Sequence, residues 1–293
     1  MTDKRIIQPL QGEPRERNMI SMDAETFDYD DDKHAYLEKE EYDDGDTVFV
    51  YGSVYDGETL RKYESKESIE MDLTARGDMK RRNLRDSWII CHNADFDLSV
   101  TGILPYLRDL QEMSPIEQNS IQRSANIVTN NGFVYAQLSL FGIDEELEEE
   151  VMKNYEKGNE AYLEENDYNT WNQALRDVRT DVRHIKYVDT VQFFKSSLDE
   201  ATDMMELDDG KDDFDIDKMD TRAKMKSTGD WEEMKKYNHK DTKILYKAMK
   251  KFESLVNEIG ATLQETLAST SLDLFRRQYQ EEVYTHPDDE AHE

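Results

Sequence analysis

The stretch NMISMDAETF, Asn18 to Phe27, decides how this chain folds and where its chemistry can occur. Side chains of a strand alternate between the two faces of a sheet. Apolar residues therefore point to one face and polar residues to the other: Ile20, Met22 and Ala24 against Ser21, Asp23 and Glu25. Two carboxylates side by side repel unless water or a cation lies between them. The alternatives are a half-solvated edge strand and a divalent metal site.

The composition bounds the class of protein. The chain has 293 residues, of which 37% are hydrophobic, which suits one large domain with insertions and a genuine core. The single cysteine, Cys91, excludes an intramolecular disulfide and fits a reducing cytosol. No apolar run reaches the length of a membrane span, so we expect a cytoplasmic protein without a membrane partner.

The charge argues against an ordinary nucleic-acid binder, because 67 acidic residues face 37 basic ones and the net charge is −30. Such binders are basic, since neutralising phosphates supplies most of their affinity. Two conditions allow an exception. Divalent cations can meet the phosphates in place of lysines, and molar salt shortens the Debye length to about 3 Å. We therefore expect a halophilic, salt-rich cytoplasm, that of the host if the protein is viral.

The order of sequence patterns predicts a mixed α/β sheet flanked by helices. Residues 1–17 form a polar arm, 18–260 the main domain, 261–283 a last helical segment, and 284–293 a disordered tail. Within the main domain, residues 143–183 form an acidic helical insertion. The expected elements are strands at 18–27, 47–57, 59–65, 87–93 and 184–194, a hairpin at 125–140, and helices at 65–83, 97–110, 230–260 and 262–282.

Two further stretches carry carboxylates toward the same crevice. CHNADFD, Cys91 to Asp97, lies where a buried strand passes into a helix, and ligand sites of α/β sheets form at strand ends. Its simpler interpretation is a helix cap at Asn93 and a core residue at Phe96. YNHKD places Tyr237 and Asp241 four apart on one helix face, where an ordinary solvated pair is the alternative.

Together these motifs resemble those of the DEDD exonuclease superfamily, whose fold is RNase H-like. Asp23-Ala24-Glu25 matches its D-x-E motif, and His92 to Asp97 matches H-N-x-x-F-D. Tyr237 and Asp241 match Y-x-x-x-D, and Lys236 stands where the histidine variant needs His. Three motifs in family order are a specific signal. They indicate the tyrosine branch.

The resemblance narrows to the proofreading domain of family B DNA polymerases, nearest to the protein-primed viral, plasmid and organellar group. Ser197 and Leu198 resemble the S/T-L-x-x-h element of that group, although Ala201 is smaller than its usual apolar residue. Lys211, followed by Phe214, resembles a lysine that follows the element. Residues 261–280 look like the segment leading to the polymerase palm.

The resemblance implies two divalent cations, Mg²⁺ or Mn²⁺, and a role for each motif residue. Asp23 would bridge both cations, Glu25 and Asp241 would hold the one that activates water, and Asp97 the other. Tyr237 would orient the water. Residues matching those that line the DNA strand in the family are Thr26, His92, Asn93, Phe96, Ser197, Leu198 and Lys211.

The implied activity is 3′-to-5′ exonuclease action on the 3′ end of single-stranded DNA, as proofreading in DNA replication. No D-x-x-S-L-Y-P or Y-x-D-T-D palm motif occurs in the sequence, so we expect no nucleotide addition by this chain alone. A free-standing exonuclease, a polymerase split into two genes and a truncated polymerase all remain open. Partners implied are a separately encoded palm and a terminal protein.

Two alternatives accompany this interpretation. A non-catalytic acidic interaction protein, either a decayed exonuclease or a DNA mimic, would also explain the charge. The last helix offers an apolar stripe that either receives the separate palm or packs against the long helix: Leu272, Leu274, Phe275 and Tyr279.

Overall fold

The computed structural model describes residues 10, 12–30, 32–34, 43–77, 84, 86–130, 132–208, 210 and 214–278. Lys211 and Tyr279 lie outside these residues. Seven strands form one sheet: β1 (Asn18–Asp28), β2 (Thr47–Tyr55), β3 (Leu60–Tyr63), β4 (Ser87–Cys91), β5 (Arg123–Thr129), β6 (Phe133–Ile143) and β7 (Arg179–Asp189).

Helices fill most of the remaining described chain. They are α1 (Lys66–Leu73), α2 (Ala94–Val100), α3 (Ile103–Glu112), α4 (Pro115–Ile121), α5 (Glu145–Glu156), α6 (Glu160–Glu165), α7 (Trp171–Asp177), α8 (Val191–Phe194), α9 (Leu198–Met204), α10 (Arg222–Thr228), α11 (Asp230–Glu258) and α12 (Leu267–Gln278). A short 3₁₀ turn covers Ile216–Lys218.

The strand order is β3-β2-β1-β4-β7-β6-β5. The strands β1, β4 and β7 run parallel, whereas β2 is antiparallel to β1 and β6 is antiparallel to β7. The first five strands of this order have the RNase H-like arrangement, so the predicted fold class is confirmed. The parallel centre brings the carboxyl ends of β1, β4 and β7 to one edge of the sheet.

The alternation predicted for the first strand holds in the structure. Ile20 and Met22 point to the core under α1, α2 and α3. Met19 points to the opposite core, which α9 and α11 cover, and Ser21 donates a hydrogen bond to the backbone of α11. A one-residue shift would exchange these faces, so burial on both sides fixes the register.

Several predicted boundaries are wrong for local backbone reasons. The helix expected over 65–83 ends at Leu73, because Ala75 takes a left-handed conformation with φ 57°. The helix expected over 97–110 is two helices broken at Gly102, whose φ is 80°. Pro105 lies in the first turn of α3, where its missing N–H leaves no bond unmade.

The strand expected over 184–194 begins and ends earlier, at Arg179 and Asp189. The following residues form α8, because the Asp189 carboxylate accepts the N–H of Val191 at 3.1 Å and holds the first helical turn. The acidic insertion is helical, as predicted. Its helices surround a small core of their own, formed by Val151, Tyr162, Ala174, Leu175 and Val178.

The last helix takes an intermediate position between the two alternatives for its stripe. Leu274 packs against the core formed by α11, whereas the Leu272 side chain is 45% exposed. The assembly role stays a prediction. Among the described residues, no helix combines the length and the apolarity that crossing a membrane requires.

Candidate functional site

The two carboxylates of the first motif lie on the face of β1 that α11 covers. Asn238, a fully buried residue of α11, donates its Nδ2–H to Asp23 Oδ2 at 2.7 Å and to Glu25 Oε1 at 3.3 Å. A neutral amide between two carboxylates relieves part of their repulsion. Sequence reasoning missed Asn238, although its place one residue after Tyr237 within the third motif was a signal.

Buried hydroxyl groups fix α11 in register against the sheet. Ser21 Oγ donates to the Thr242 carbonyl oxygen at 2.7 Å, and Ser53 Oγ shares a hydrogen bond of 2.6 Å with Thr242 Oγ1. Asp241, adjacent to Thr242 and three residues after Asn238, is itself buried. The structure therefore places Asp241 on the helix face that meets Asp23.

Asp97 reaches the same strand end from the other side of the sheet. Its side chain is only 3% exposed and accepts the N–H of Ala24, which lies between Asp23 and Glu25. Its Oδ2 atom is buried with no hydrogen-bond partner. Burial raises the pKa of Asp97 well above its usual value, and the negative charge of Glu25 raises it further.

Asp189, at the end of β7, is a second residue that sequence reasoning missed. Its Oδ1 accepts the N–H groups of Asn93 and Val191, both at 3.1 Å, so it fixes the loop between β4 and α2. The signal was available, because an acid at the end of a buried strand is also what marks Asp97. Burial, followed by the charges of Asp97 and Asp189, raises the pKa of Cys91.

The predicted DNA contacts of the second motif surround this strand end. His92 Nδ1 and Thr190 Oγ1 are 3.0 Å apart, and Asn93 is exposed in a left-handed conformation with φ 83°. Phe96 is 39% exposed, a large value for so apolar a side chain. Thr26 is half-buried, next to the bulge that follows Glu25.

The remaining predicted contacts have structural surroundings or lie outside the described residues. Ser197 caps α9 and forms a capping box with Glu200. Leu198 is buried in the core between α9 and α11. These positions give both residues a packing or capping role, and their contact with DNA stays a prediction, as does the role of Lys211.

Tyr237 lies half-buried on the same helix as Asn238 and Asp241. Its ring centroid is 5.6 Å from that of Phe214, at an interplanar angle of 34°. This contact joins α11 to the segment that precedes the 3₁₀ turn. The tyrosine hydroxyl belongs to the one motif residue that can donate a proton in a hydrogen bond to water beside these carboxylates.

The carboxylates border one strand end without forming a tight cluster. Within the described part of the chain, no group of three or more His, Cys, Asp or Glu side chains is placed to hold a metal ion. The donors present are nevertheless carboxylate oxygens, which are the ligands that Mg²⁺ and Mn²⁺ prefer. The unpartnered oxygen of Asp97 is compatible with a cation beside it.

Comparison with known proteins gives structural similarities alone. No protein-family model matches the sequence, and no curated protein matches it significantly. The solved structures similar to the chain include Phi29 DNA polymerase in a ternary complex with primer-template DNA and incoming nucleotides, at 14% identity over 89% of this chain with a TM-score of 0.48.

Two other structures of Phi29 DNA polymerase are similar at the same level. The complex with single-stranded DNA has 14% identity, 88% coverage and a TM-score of 0.49, and the orthorhombic crystal form has 13%, 88% and 0.44. The chain spans about a third, 34%, of the length of each polymerase. At this level of similarity the function has to be argued from the site itself.

Proposed function

We propose that this chain is a metal-dependent 3′-to-5′ exonuclease that acts on single-stranded DNA. The observation that carries the proposal is the Asp97 carboxylate, buried with one unpartnered oxygen beside the Asp23–Glu25 pair. A buried carboxylate without a partner for one oxygen is costly to the fold. A site that binds a cation gives a reason to retain it.

The residues that would hold divalent cations are Asp23, Glu25, Asp97 and Asp241. When bound, a cation pair supplies charge stabilisation to the attacking and leaving oxygens of an in-line phosphoryl displacement. The carboxylates would have to move closer together to coordinate it, and the amide of Asn238 would have to release at least one of its two acceptors.

The other residues at the strand end would bind and orient. The exposed ring of Phe96 would stack against the terminal base, since stacking tolerates any sequence. His92, oriented by Thr190, would bind the strand near its 3′ end. Tyr237 would orient the attacking water.

The biological role belongs to the same proposal. The motif set supports a proofreading part of a family B, protein-primed DNA polymerase, with a separately encoded palm and a terminal protein as partners. The rival is an acidic protein that occupies a basic partner and hydrolyses nothing, and the charge of −30 favours it. A mimic needs surface charge but no buried carboxylate.

A nuclease assay tests the proposal directly. The purified chain in high salt with Mg²⁺ or Mn²⁺ should shorten a 5′-labelled single strand from its 3′ end, and EDTA should stop it. Asp23→Asn should slow the reaction by about 10³-fold, which corresponds to ~4 kcal/mol of transition-state stabilisation. The matched control is Asp95→Asn, an exposed acid of α2, which should keep full activity. Equal rates for wild type and Asp23→Asn would reject the proposal.

A further inference from the structure

The long helix α11 reverses the charge of the chain over part of its length. Between positions 235 and 251 it carries one carboxylate, Asp241, and seven lysines, at 235, 236, 240, 243, 247, 250 and 251. The chain as a whole has a net charge of −30. Such a segment creates a local positive potential on an otherwise negative molecule.

A lysine from the sheet edge joins the helix. Lys62 of β3 is the cross-strand partner of Ser53, and directly opposite residues point to the same face of a sheet. Because Ser53 is hydrogen-bonded to Thr242 of α11, Lys62 lies on the flank of that helix. Tyr51 of β2 meets the same flank, with its hydroxyl 2.6 Å from Nε2 of His239.

The environment of His239 supports this arrangement. Burial, followed by the positive charges of Lys62, Lys235 and Lys243, lowers the pKa of His239 to about 4. Lysines of two separate elements are therefore close enough to act on one imidazole. Glu232 is the neighbouring acid, and its Oε1 lies 2.6 Å from Nζ of Lys235.

Three of these lysines are exposed and carry no ion pair within the described residues: Lys62, Lys236 and Lys243. We call them the lysine surface. The Lys243 ammonium lies 5.8 Å from the ring of Tyr55, so an aromatic side chain adjoins the charges. From Lys236 to Lys247 the helix rises about 16 Å, long enough to meet several successive phosphates.

We infer that the lysine surface binds the phosphate backbone of the nucleic acid whose 3′ end enters the carboxylate site. This inference rests on the proposed exonuclease function. A site lined by carboxylates repels a polyanion, so affinity has to come from positive charge nearby. His239, which the lysines surround, is two residues from Asp241, so the surface and the site share one helix.

The test measures binding without hydrolysis. Fluorescence anisotropy in EDTA follows a 5′-labelled single strand of about 12 nucleotides between 0.2 and 0.8 M KCl. The variant is the triple substitution Lys62→Gln, Lys236→Gln, Lys243→Gln. Each lost phosphate contact lowers the slope of log K against log salt by about 0.7. The slope should therefore fall by about 2, and affinity at 0.2 M by about 30-fold.

A matched control keeps the net charge equal. The triple substitution Lys66→Gln, Lys153→Gln, Lys157→Gln removes three exposed lysines from α1, on the opposite face of the sheet, and from the acidic insertion. It should leave the salt slope unchanged. An oligonucleotide of about four nucleotides, too short to span site and surface, should bind both variants equally.

The outcomes separate the inference from the function on which it rests. Equal loss of affinity in both triple variants would reject the lysine surface. So would a change of oligomeric state in sedimentation velocity with DNA binding unaltered, which would assign the surface to the acidic face of a second copy. Lysine-dependent binding without any hydrolysis in Mg²⁺ would instead reject the exonuclease proposal alone.

Discussion

Replacing Asp97 by Asn should stabilise the protein in the absence of metal. The side chain is 3% exposed, and its Oδ2 has no hydrogen-bond partner. In the variant the Ala24 N–H keeps its acceptor, because the amide oxygen of Asn replaces Oδ1. The new NH₂ group faces the negative charges of Glu25 and Asp189, so a repulsive contact becomes an attractive one.

The size of the effect follows from the burial. An unsatisfied buried polar atom costs about 1–3 kcal/mol, and more when it is charged. We therefore expect Asp97→Asn to gain about 2 kcal/mol in EDTA at pH 8. For a domain of this size that corresponds to a rise in melting temperature of about 4–8 °C.

Divalent metal should reverse the order of stability. A ligand at 100 times its dissociation constant stabilises the folded state by about 2.7 kcal/mol, which exceeds the gain from the substitution. Wild type should overtake Asp97→Asn as Mg²⁺ rises, in thermal unfolding followed by circular dichroism. Asp95→Asn, exposed on the same helix, should change neither curve by more than about 0.5 kcal/mol. A variant less stable than wild type in EDTA would refute the reasoning about the buried oxygen.

Three further predictions concern the frame around the site. Arg179→Met should lower the free energy of unfolding by about 2 kcal/mol in a urea titration, because the guanidinium donates to the side-chain oxygens of Gln118 and Asn119, both at 2.9 Å; an unchanged midpoint would show that these bonds are dispensable. Replacing residues 144–178 by an Asn-Gly turn should leave the sheet folded and the nuclease active, because the flanking residues are cross-strand partners; loss of the far-ultraviolet sheet signal would contradict this. Burial lowers the pKa of His184, so stability present above its unfolded value of 6.5 is lost as pH falls through the folded pKa; His184→Gln should lose less stability than wild type between pH 7 and 5, and parallel losses would exclude the histidine.

The strands of the fold were predictable because burial on both sides of a sheet leaves a period of two in the sequence. The first strand shows this, since Ile20 and Ser21 enter opposite sides as their alternation requires. Helix boundaries depend instead on single backbone conformations. The left-handed turns at Ala75 and Gly102 divide segments whose composition is helical throughout. The core of the insertion was also hidden, because Tyr162 and Trp171 are far apart in sequence and stack only in the folded chain.

The site was predictable to the extent that its residues carry their own chemistry. Carboxylates at strand ends and on one helix face are visible in the sequence, and the structure places Asp23 and Asp97 at the same strand end. Asn238 was not visible, because an amide inside a helix has no pattern until it lies between two carboxylates. Asp189 was hidden for the opposite reason, since it is one acid among 67 acidic residues.

Burial separates acids that serve the fold from acids that remain available for chemistry. Buried acids elsewhere in the described chain have cationic or hydroxyl partners: Asp72 with Tyr63, Asp220 with Lys224, Glu253 with Lys250, and Asp273 with Arg277. Asp97 has the same burial but one backbone N–H and an oxygen without a partner. Since folding alone would select against such an oxygen, its retention beside Asp23 and Glu25 is better explained by a ligand that arrives after folding. A DNA mimic has no use for that oxygen, because only carboxylates at the surface can compete for a basic partner. The buried acid therefore favours hydrolysis over mimicry more strongly than the net charge favours the reverse.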